Sequence, residues 1–278
     1  MTNPLLSHLK VGFIGAGNMS QSIISSLLQA KIIPHENVYL SNRSEKKLIK
    51  VSKELDVQAV NSNEELIEKS DIIVIAVKPQ DIYNAVEPIS SSFGEENIVI
   101  SLAAGIPLQK LKKLAPQVKN WVRVMPNTPV SIKTGVVGYC LLNESEATSA
   151  VIEDLFSASG VVEKVTEGEM FEALMVATSS GVGFVFELMQ YWQEWLEEHD
   201  FTPEQARNLT VQTFLGASLL ANIDQAKSIE ELQNKVTSKK GVTAAGLESM
   251  RELEVERAIR YSFEKAVLRD RELAKLSD

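Results

Sequence analysis

Cysteine is nearly missing from this chain of 278 residues. Cys140 is the single one, which excludes a disulfide within the molecule and leads to the expectation of a small buried apolar side chain in a reducing compartment. Histidine is almost as scarce. His8, His35 and His199 stand far apart with none of the spacing of metal ligands, so no metal site is expected and none of the three is read as a catalytic base. A basic excess is lacking too: 28 Lys and Arg stand against 37 Asp and Glu, a formal net charge of -9. General nucleic-acid binding is not expected on that ground, because counterions on phosphates are displaced by cations, although a local site can still oppose the global charge and take a small anion. The stretch from Met1 to Lys10 has neither the basic region nor the apolar core of a signal peptide. The longest uncharged run near the middle, Ala173 to Phe186, falls short of the ~18 residues a membrane span needs and contains Thr178, Ser179, Ser180, Gly181 and Gly183. A soluble cytoplasmic protein without a membrane partner is expected. Repeats and low-complexity segments are also missing, while 44% apolar residues supply ample material for a core.

What is present is organised around Val11-Gly12-Phe13-Ile14-Gly15-Ala16-Gly17-Asn18-Met19-Ser20. Val11, Phe13 and Ile14 read as a buried strand; Met19, Ile23, Ile24, Leu27 and Leu28 follow at helical spacing. Strand, glycine turn and helix make a dinucleotide-binding opening: Gly15 permits the tight turn, Gly17 lets backbone approach a pyrophosphate, and the helix start offers free N–H groups to the anion. Ser20 stands in the third glycine position, small enough for helix and strand to pack closely.

A second strand, Asn37 to Leu40, ends in Ser41-Asn42-Arg43-Ser44. An acidic residue at this point would favour the ribose 2′-hydroxyl of NAD; donors and an arginine favour a 2′-phosphate. The expected cofactor is therefore NADPH, with NADH as the alternative. A plainer reading, in which Ser44 only caps the next helix and Arg43 is solvated, is compatible with it. The run Asp71 to Val77 reads as a parallel strand buried on both faces, stopping at Lys78-Pro79-Gln80, where Pro79 marks the switch to a helix at the carboxyl edge of the sheet. Lys78 is read there as a cofactor or substrate contact or else as an edge charge. Asn97 to Leu102 leads into the small residues Ala103-Ala104-Gly105, and Trp121 to Met125 into Pro126-Asn127-Thr128-Pro129, a rigid loop that sets Asn127 at a strand end among the cofactor contacts. Further strands are expected at Gly135 to Leu142 and Gly160 to Val165. Strands alternating with helices imply an α/β class, a doubly wound sheet over residues 1–165.

Beyond about Thr166 only helical patterns remain, giving an expected helical segment over 166–278. Glu169 to Glu198 is apolar nearly all round between Ala173 and Met189, and a helix of that kind must be buried on most faces. A second subunit is the expected cover, with Trp192 and Trp195 in the interface, a core within one chain being the rival reading. In the final helix, Ile259, Phe263, Ala266 and Val267 are expected to face inward. The loop from Thr237 to Thr243 is basic and rich in hydroxyls ahead of a helix start suited to a carboxylate, if it is not simply a capping loop.

Taken together, Gly12-Phe13-Ile14-Gly15-Ala16-Gly17-Asn18-Met19, Val77-Lys78-Pro79-Gln80, Met125-Pro126-Asn127-Thr128-Pro129 and Val236-Thr237-Ser238 through Gly241, Thr243, Ala245-Gly246-Leu247 resemble the pyrroline-5-carboxylate reductase family along essentially the whole chain. The resemblance implies a Rossmann domain followed by a helical domain that interlocks two subunits, in a homodimer or a ring of dimers. It implies NADPH at Gly15, Ala16, Gly17, Asn18 and Met19 and at Ser41, Asn42, Arg43 and Ser44, with Val77, Lys78, Pro79 and Ala104 near the nicotinamide. It further implies a small imine acid as substrate, its carboxylate held by the loop Ser238, Lys239, Lys240, Gly241 and Val242, with the Thr243 hydroxyl near the imine nitrogen. Where the family reads Ser-Pro-Gly-Gly-Thr-Thr, this chain has Ser238-Lys239-Lys240-Gly241-Val242-Thr243; where it reads Ser-Gly-Ser-Gly-Pro-Ala-Tyr, this chain has Thr178-Ser179-Ser180-Gly181-Val182-Gly183-Phe184. These departures keep two other readings open, a reductase of another small imine or carbonyl acid and a non-catalytic dinucleotide-binding relative.

Overall fold

The apolar runs at Val11–Ile14 (β1) and Ile72–Ile75 (β4) lie side by side in the middle of an eight-stranded sheet, and every residue of both is buried. In the computed structural model, residues 6–276 are described; Met1 to Leu5, half of the stretch read as lacking a signal peptide, lie outside the described residues, as do Ser277 and Asp278. The other strands are Val38–Ser41 (β2), Gln58–Ala59 (β3), Ile98–Ser101 (β5), Asn120–Pro126 (β6), Gly135–Leu141 (β7) and Gly160–Lys164 (β8), in the spatial order β3-β2-β1-β4-β5-β6-β7-β8. The pairs from β3 to β6 are parallel. The β6–β7 pair is antiparallel, and β8 returns parallel to β7. The alternation of strands and helices therefore predicts the doubly wound class but not this reversal, which needs only an eight-residue connection.

Helices Asn18–Gln29 (α1), Glu45–Leu55 (α2), Asn63–Glu68 (α3), Ile82–Val86 (α4), Leu108–Leu114 (α5) and Glu146–Phe156 (α6) cover the sheet. Local chemistry fixes several of their ends: Ser44, Ser62 and Ser145 each accept a first-turn N–H, and Asp56 ends α2 in the left-handed conformation. Gly12 is where a side chain would not fit. A Cβ there would lie 2.3 Å from Leu66 Cδ2, so its absence lets α3 press onto β1. Trp121, Tyr139, Phe13, Phe156 and Phe171 are the largest fully buried side chains of this core.

The remaining helices are Glu169–Leu174 (α7), Gly181–Glu197 (α8), Pro203–Ile223 (α9), Ile229–Lys235 (α10), Val242–Glu252 (α11) and Val255–Leu276 (α12). A π-helical turn, Met175–Ser180, joins α7 to α8 without a break. Capping boxes open α9 (Thr202 with Gln205) and α10 (Ser228 with Glu231). The chain forms two compact units, residues up to Ser180 with those from Ala266 onward, and Gly181–Lys265; both limits fall within continuous helix, beyond the 165/166 division expected from the end of the strand pattern.

The second unit exposes much apolar surface. Phe186 and Trp195 on α8 are each 59% exposed, and Leu219, Leu220 and Ile223 on α9 are exposed as well, while Trp192 meets Phe214 edge-on at 5.3 Å. Phe263 stacks on Phe184 at 5.5 Å but, like Ala266 and Val267, is only half-buried, and Ile259 is exposed. The continuous helix Glu169–Glu197 is also long and apolar enough, at mean hydropathy 1.3 over 18 residues, to cross a membrane by length and composition alone. The uncharged run 173–186 understates it because Glu172 and Glu187 interrupt the run without ending the apolar helix.

Candidate functional site

The strand order reverses between β1 and β4, and open α/β sheets bind ligands at the carboxyl ends of strands beside such a switch point. The glycine turn lies there. Gly15 has φ +108, and a Cβ on it would stand 3.0 Å from the Ala76 carbonyl oxygen at the end of β4, so no other residue takes this conformation without strain. Ser20, fully buried, donates from Oγ to the Gly15 carbonyl at 2.6 Å and fastens the turn to the first turn of α1. Gly17 is the N-cap of α1, with no side chain capping the helix and no acidic residue in its first turn. A Cβ on Gly17 would meet only the Ala76 oxygen at 4.0 Å, so its outer side is open. The N–H groups of Asn18 and Met19 begin the helix without intrahelical acceptors, a cradle suited to an anionic pyrophosphate. Ala16 is committed inward: its side chain is buried and its N–H donates to Asn42 Oδ1 at 3.1 Å.

At the end of β2, the four polar residues divide their work. Ser41 is buried and donates to Asn63 Oδ1 at 2.7 Å. Asn42 ties the glycine turn to the next segment, accepting from Ala16 and donating to the Ser44 carbonyl at 3.1 Å. The Ser44 hydroxyl caps α2 by accepting from Lys47 N at 3.4 Å. Arg43 is exposed on the same edge. The structure thus brings all four to the switch-point edge and spends the side chains of three of them on the fold.

Val77, Lys78 and Pro79 follow β4; Lys78 is exposed in extended conformation and Pro79 opens a 3₁₀ turn, Pro79–Asp81, leading into α4. Ala104 sits half-buried in the loop after β5, the strand beside β4. Asn127 is buried after β6, and both ends of its amide are engaged within the protein: Oδ1 accepts from Val136 N at 2.8 Å and Nδ2 donates to the Thr178 carbonyl in the π-helical turn at 3.2 Å. Ser179 adds a bond from Oγ to the Pro126 carbonyl at 3.3 Å.

In the second unit, the basic loop forms a tight turn. Gly241 N donates to the Ser238 carbonyl at 3.0 Å, Lys240 adopts φ +57, and a Cβ on Gly241 would fall 2.1 Å from Ser238 Oγ. Gly241 is the N-cap of α11, again without a side-chain cap, so the first N–H groups at Val242 and Thr243 face outward, with Lys239, Lys240, Val242 and Thr243 exposed. Thr237 Oγ1 donates to the Gln233 carbonyl at 2.7 Å and belongs to the preceding helix end rather than to the exposed turn.

Arg123 and Glu167 carry no signal in the sequence pattern and meet only in the fold. Arg123 on β6 is buried, lies 4.2 Å over the Phe171 ring and donates from Nη1 to Glu167 Oε1 at 3.0 Å. Cys140, its neighbour across the β6–β7 pair, is buried, and burial pushes its thiol up to about 12. Nothing in the strand pattern distinguishes Arg123 from an edge charge. Among the described residues no group of His, Cys, Asp and Glu is placed to hold a metal; His35 is hydrogen-bonded to the Asp56 carbonyl and His199 to that of Trp195.

Residues 10–105 match the family described as NADP oxidoreductase coenzyme F420-dependent, and residues 168–273 match the pyrroline-5-carboxylate reductase dimerisation family. A pyrroline-5-carboxylate reductase from Pseudomonas aeruginosa is 31% identical over 271 residues, 97% of this chain and 98% of the relative. The solved structure of a pyrroline-5-carboxylate reductase from Coxiella burnetii superposes with a TM-score of 0.88 at 29% identity, covering 96% of this chain and 98% of that one. A Plasmodium falciparum pyrroline carboxylate reductase, solved with NADP bound, has the same fold at TM-score 0.85 and 24% identity, covering 97% and 99%.

Proposed function

The chain belongs to the pyrroline-5-carboxylate reductase family, and from that premise we propose that it reduces the C=N bond of pyrroline-5-carboxylate, with NADPH supplying the hydride, to give L-proline, the last step of proline biosynthesis. The observation that carries this reading is the kinship of the chain with named reductases along its whole length, at 97% of this chain and 98% of the relative. It is supported by the open, uncapped start of α1 behind a positive-φ glycine, which fits a dinucleotide.

The residues divide the task as follows. Gly15, Ala16, Gly17, Asn18 and Met19 hold the pyrophosphate through backbone. Arg43 takes the 2′-phosphate of NADPH by a charge-assisted bond, with Ser41, Asn42 and Ser44 shaping the segment that presents it, so NADH binds more weakly. Val77, Lys78, Pro79 and Ala104 bound the nicotinamide end, and Asn127 supports it from behind. The N–H groups of the Ser238 to Val242 turn receive the substrate carboxylate, and Lys239 and Lys240 add attraction for it. The Thr243 hydroxyl bonds the imine nitrogen as charge redistributes there; positioning, rather than a strong acid, is what the reaction asks of the protein.

Residues 166–278 serve as the substrate-binding and dimerisation segment, with 1–165 as the dinucleotide-binding part. A second copy of the chain, not lipid, covers the exposed apolar faces of α8 and α9; the homodimer is the unit of assembly, and a ring of dimers is its larger form. The cytoplasm is the assigned location, in keeping with a lone buried thiol.

The deciding experiment is initial-rate oxidation of NADPH, and separately of NADH, with racemic pyrroline-5-carboxylate beside a panel of other cyclic imines. Preference for the five-membered imine acid is expected. Turnover confined to another imine or to a carbonyl acid would replace the substrate, and absence of turnover from protein that still binds NADPH would leave a non-catalytic relative.

A further inference from the structure

The helix that follows the loop after β5 is capped from 59 residues further along the chain. Pro107, the N-cap of α5, has no polar side-chain atom and makes no side-chain cap. The Leu108 N–H donates instead to Glu167 Oε1 at 2.7 Å, and the same oxygen accepts from Arg123 Nη1 at 3.0 Å. Arg123 is itself held firmly: its side chain is 7% exposed, and its guanidinium lies 4.2 Å over the Phe171 ring. At the near end of the loop, Ala103 N donates to Ser101 Oγ at 3.3 Å, and Ser101 stands opposite Arg123 in the β5–β6 register. Between these two ties Gly105 has φ +70, and a Cβ on it would come within 3.3 Å of Ala274 N and Leu273 Cβ on α12. Ala104 thus lies half-buried in a loop fastened at both ends and backed by a helix.

A helix start needs acceptors for its first N–H groups, and a residue at the N-cap can supply one locally, as Ser44, Ser62 and Ser145 do for α2, α3 and α6. A carboxylate also suits the positive end of the helix dipole. Neither need calls for a residue from beyond β8. What the remote carboxylate adds is a connection: one oxygen joins the far end of the loop to the buried guanidinium of β6, so the loop is set against the sheet as well as against its own helix. Both bonds are charge-assisted, a class roughly twice as strong as neutral ones. The Glu167 side chain remains 29% exposed, so its charge keeps part of its hydration while serving the two donors.

We propose that Glu167 is a positioning residue for the cofactor: accepting from the Leu108 N–H while paired with Arg123, it fixes the far end of the Ala103 to Pro107 loop and with it the backbone around Ala104. This role rests on the assignment of Ala104 to the nicotinamide end. Glu167 acts through the loop and not by contact with the reacting atoms.

The test compares Glu167→Ala, Glu167→Asp and Glu167→Gln with the unmodified full chain by the affinity of two ligands, NADPH and adenosine 2′,5′-bisphosphate. The second carries the 2′-phosphate but no nicotinamide. Amide hydrogen exchange of residues 102–110 without ligand is read beside them. Glu167→Ala should weaken NADPH about tenfold, the loss expected for a hydrogen bond to a charged group, and speed exchange in the segment, while the bisphosphate stays within about twofold. Glu167→Asp keeps the charge but is one methylene too short to reach Leu108 N; it should resemble the alanine variant and decides the matter if that variant does not fold. Glu167→Gln keeps the acceptor and should bring NADPH back to within about threefold of the unmodified protein. Unchanged NADPH affinity in Glu167→Ala or, where that variant does not fold, in Glu167→Asp overturns the proposal. So does an equal loss of both ligands, the mark of a general loosening of the fold, and so does a Glu167→Gln no better than the alanine variant. If the unmodified protein binds NADPH but does not turn over pyrroline-5-carboxylate, the proposed reaction falls while the paired affinities still decide the role of Glu167. If it binds neither ligand, the cofactor assignment and the role of Glu167 fall together.

Discussion

Asn127 Nδ2 donates to the carbonyl of Thr178 at 3.2 Å, joining the loop after β6 to a π-helical turn 51 residues later. A π turn leaves backbone groups out of the usual i to i−4 ladder, so a side-chain donor is in demand there. The same amide accepts from Val136 N at 2.8 Å, closing the connection between β6 and β7. Asn127→Ala leaves a buried carbonyl and a buried N–H without these partners and is expected to lower stability by ~1–3 kcal/mol. Asn127→Asp, which retains only the acceptor, should lie between. Urea unfolding of the three proteins checks the order; a neutral Asn127→Ala would show the two bonds to be dispensable.

Cofactor choice tests the edge of β2. Ser41 and Ser44 spend their hydroxyls on Asn63 and on the α2 cap, leaving exposed Arg43 as the cation at this edge. Arg43→Glu should raise KM for NADPH about 10- to 100-fold, the loss of one charge-assisted bond and gain of repulsion, while KM for NADH changes little. Parallel loss with both cofactors would remove the 2′-phosphate from Arg43.

The apolar faces of α8 and α9 predict obligatory association. Trp195→Glu with Leu219→Glu places charge on residues 59% and 48% exposed in the single chain, so the folded monomer tolerates both, whereas a buried interface does not. Sedimentation should show the unmodified chain as a dimer or larger and the double variant shifted toward monomer, with lower activity. If instead the unmodified chain floats with lipid vesicles, the long apolar helix has a membrane as its cover.

Alkaline stability follows from Cys140. Its thiol is raised from 9.0 to about 12, chiefly by burial, with Arg123 opposing; the unfolded thiol ionises first. The stabilisation is whole below about pH 9 and is lost as pH rises toward 12, because the unfolded state then binds fewer protons than the native one. Tyr139, raised to about 12 by burial, adds to the same decline from about pH 10. Thermal midpoints between pH 8 and 11 should fall, less steeply in Cys140→Ala, and the native thiol should resist iodoacetamide at pH 8. Rapid alkylation of folded protein would contradict this.

Much of the frame is legible from local pattern, because β-branched runs, glycine turns and caps are local signals. The strand–glycine–helix opening at Val11 to Ser20 lies where its residues imply, and Ser20 does more than its size suggests by bonding the Gly15 carbonyl. The 237–243 turn is likewise legible as a helix start with free N–H groups. What stayed hidden depends on residues far apart in sequence. Arg123 and Glu167 come together only once β6 and the approach to α7 are assembled, and no periodicity links positions 44 apart. The antiparallel turn of β7 was hidden for the opposite reason: alternation of apolar residues is the same in either strand direction.

That reversal also bears on how the chain finds its fold. Every other pairing of neighbours in the sheet joins strands across a helix or a longer excursion, β1 waiting for Ile72 to emerge before its second edge is covered. Loop closure of that kind is slow. The β6–β7 hairpin is the one strand pair, among the described residues, that can zip within a single short stretch, and Asn127 holds its turn from both sides. Its short connection makes it the expected nucleus: substitutions at this turn should register mainly in the refolding rate and those along β1 and β4 mainly in the rate of unfolding, as stopped-flow refolding and unfolding of the variants would read.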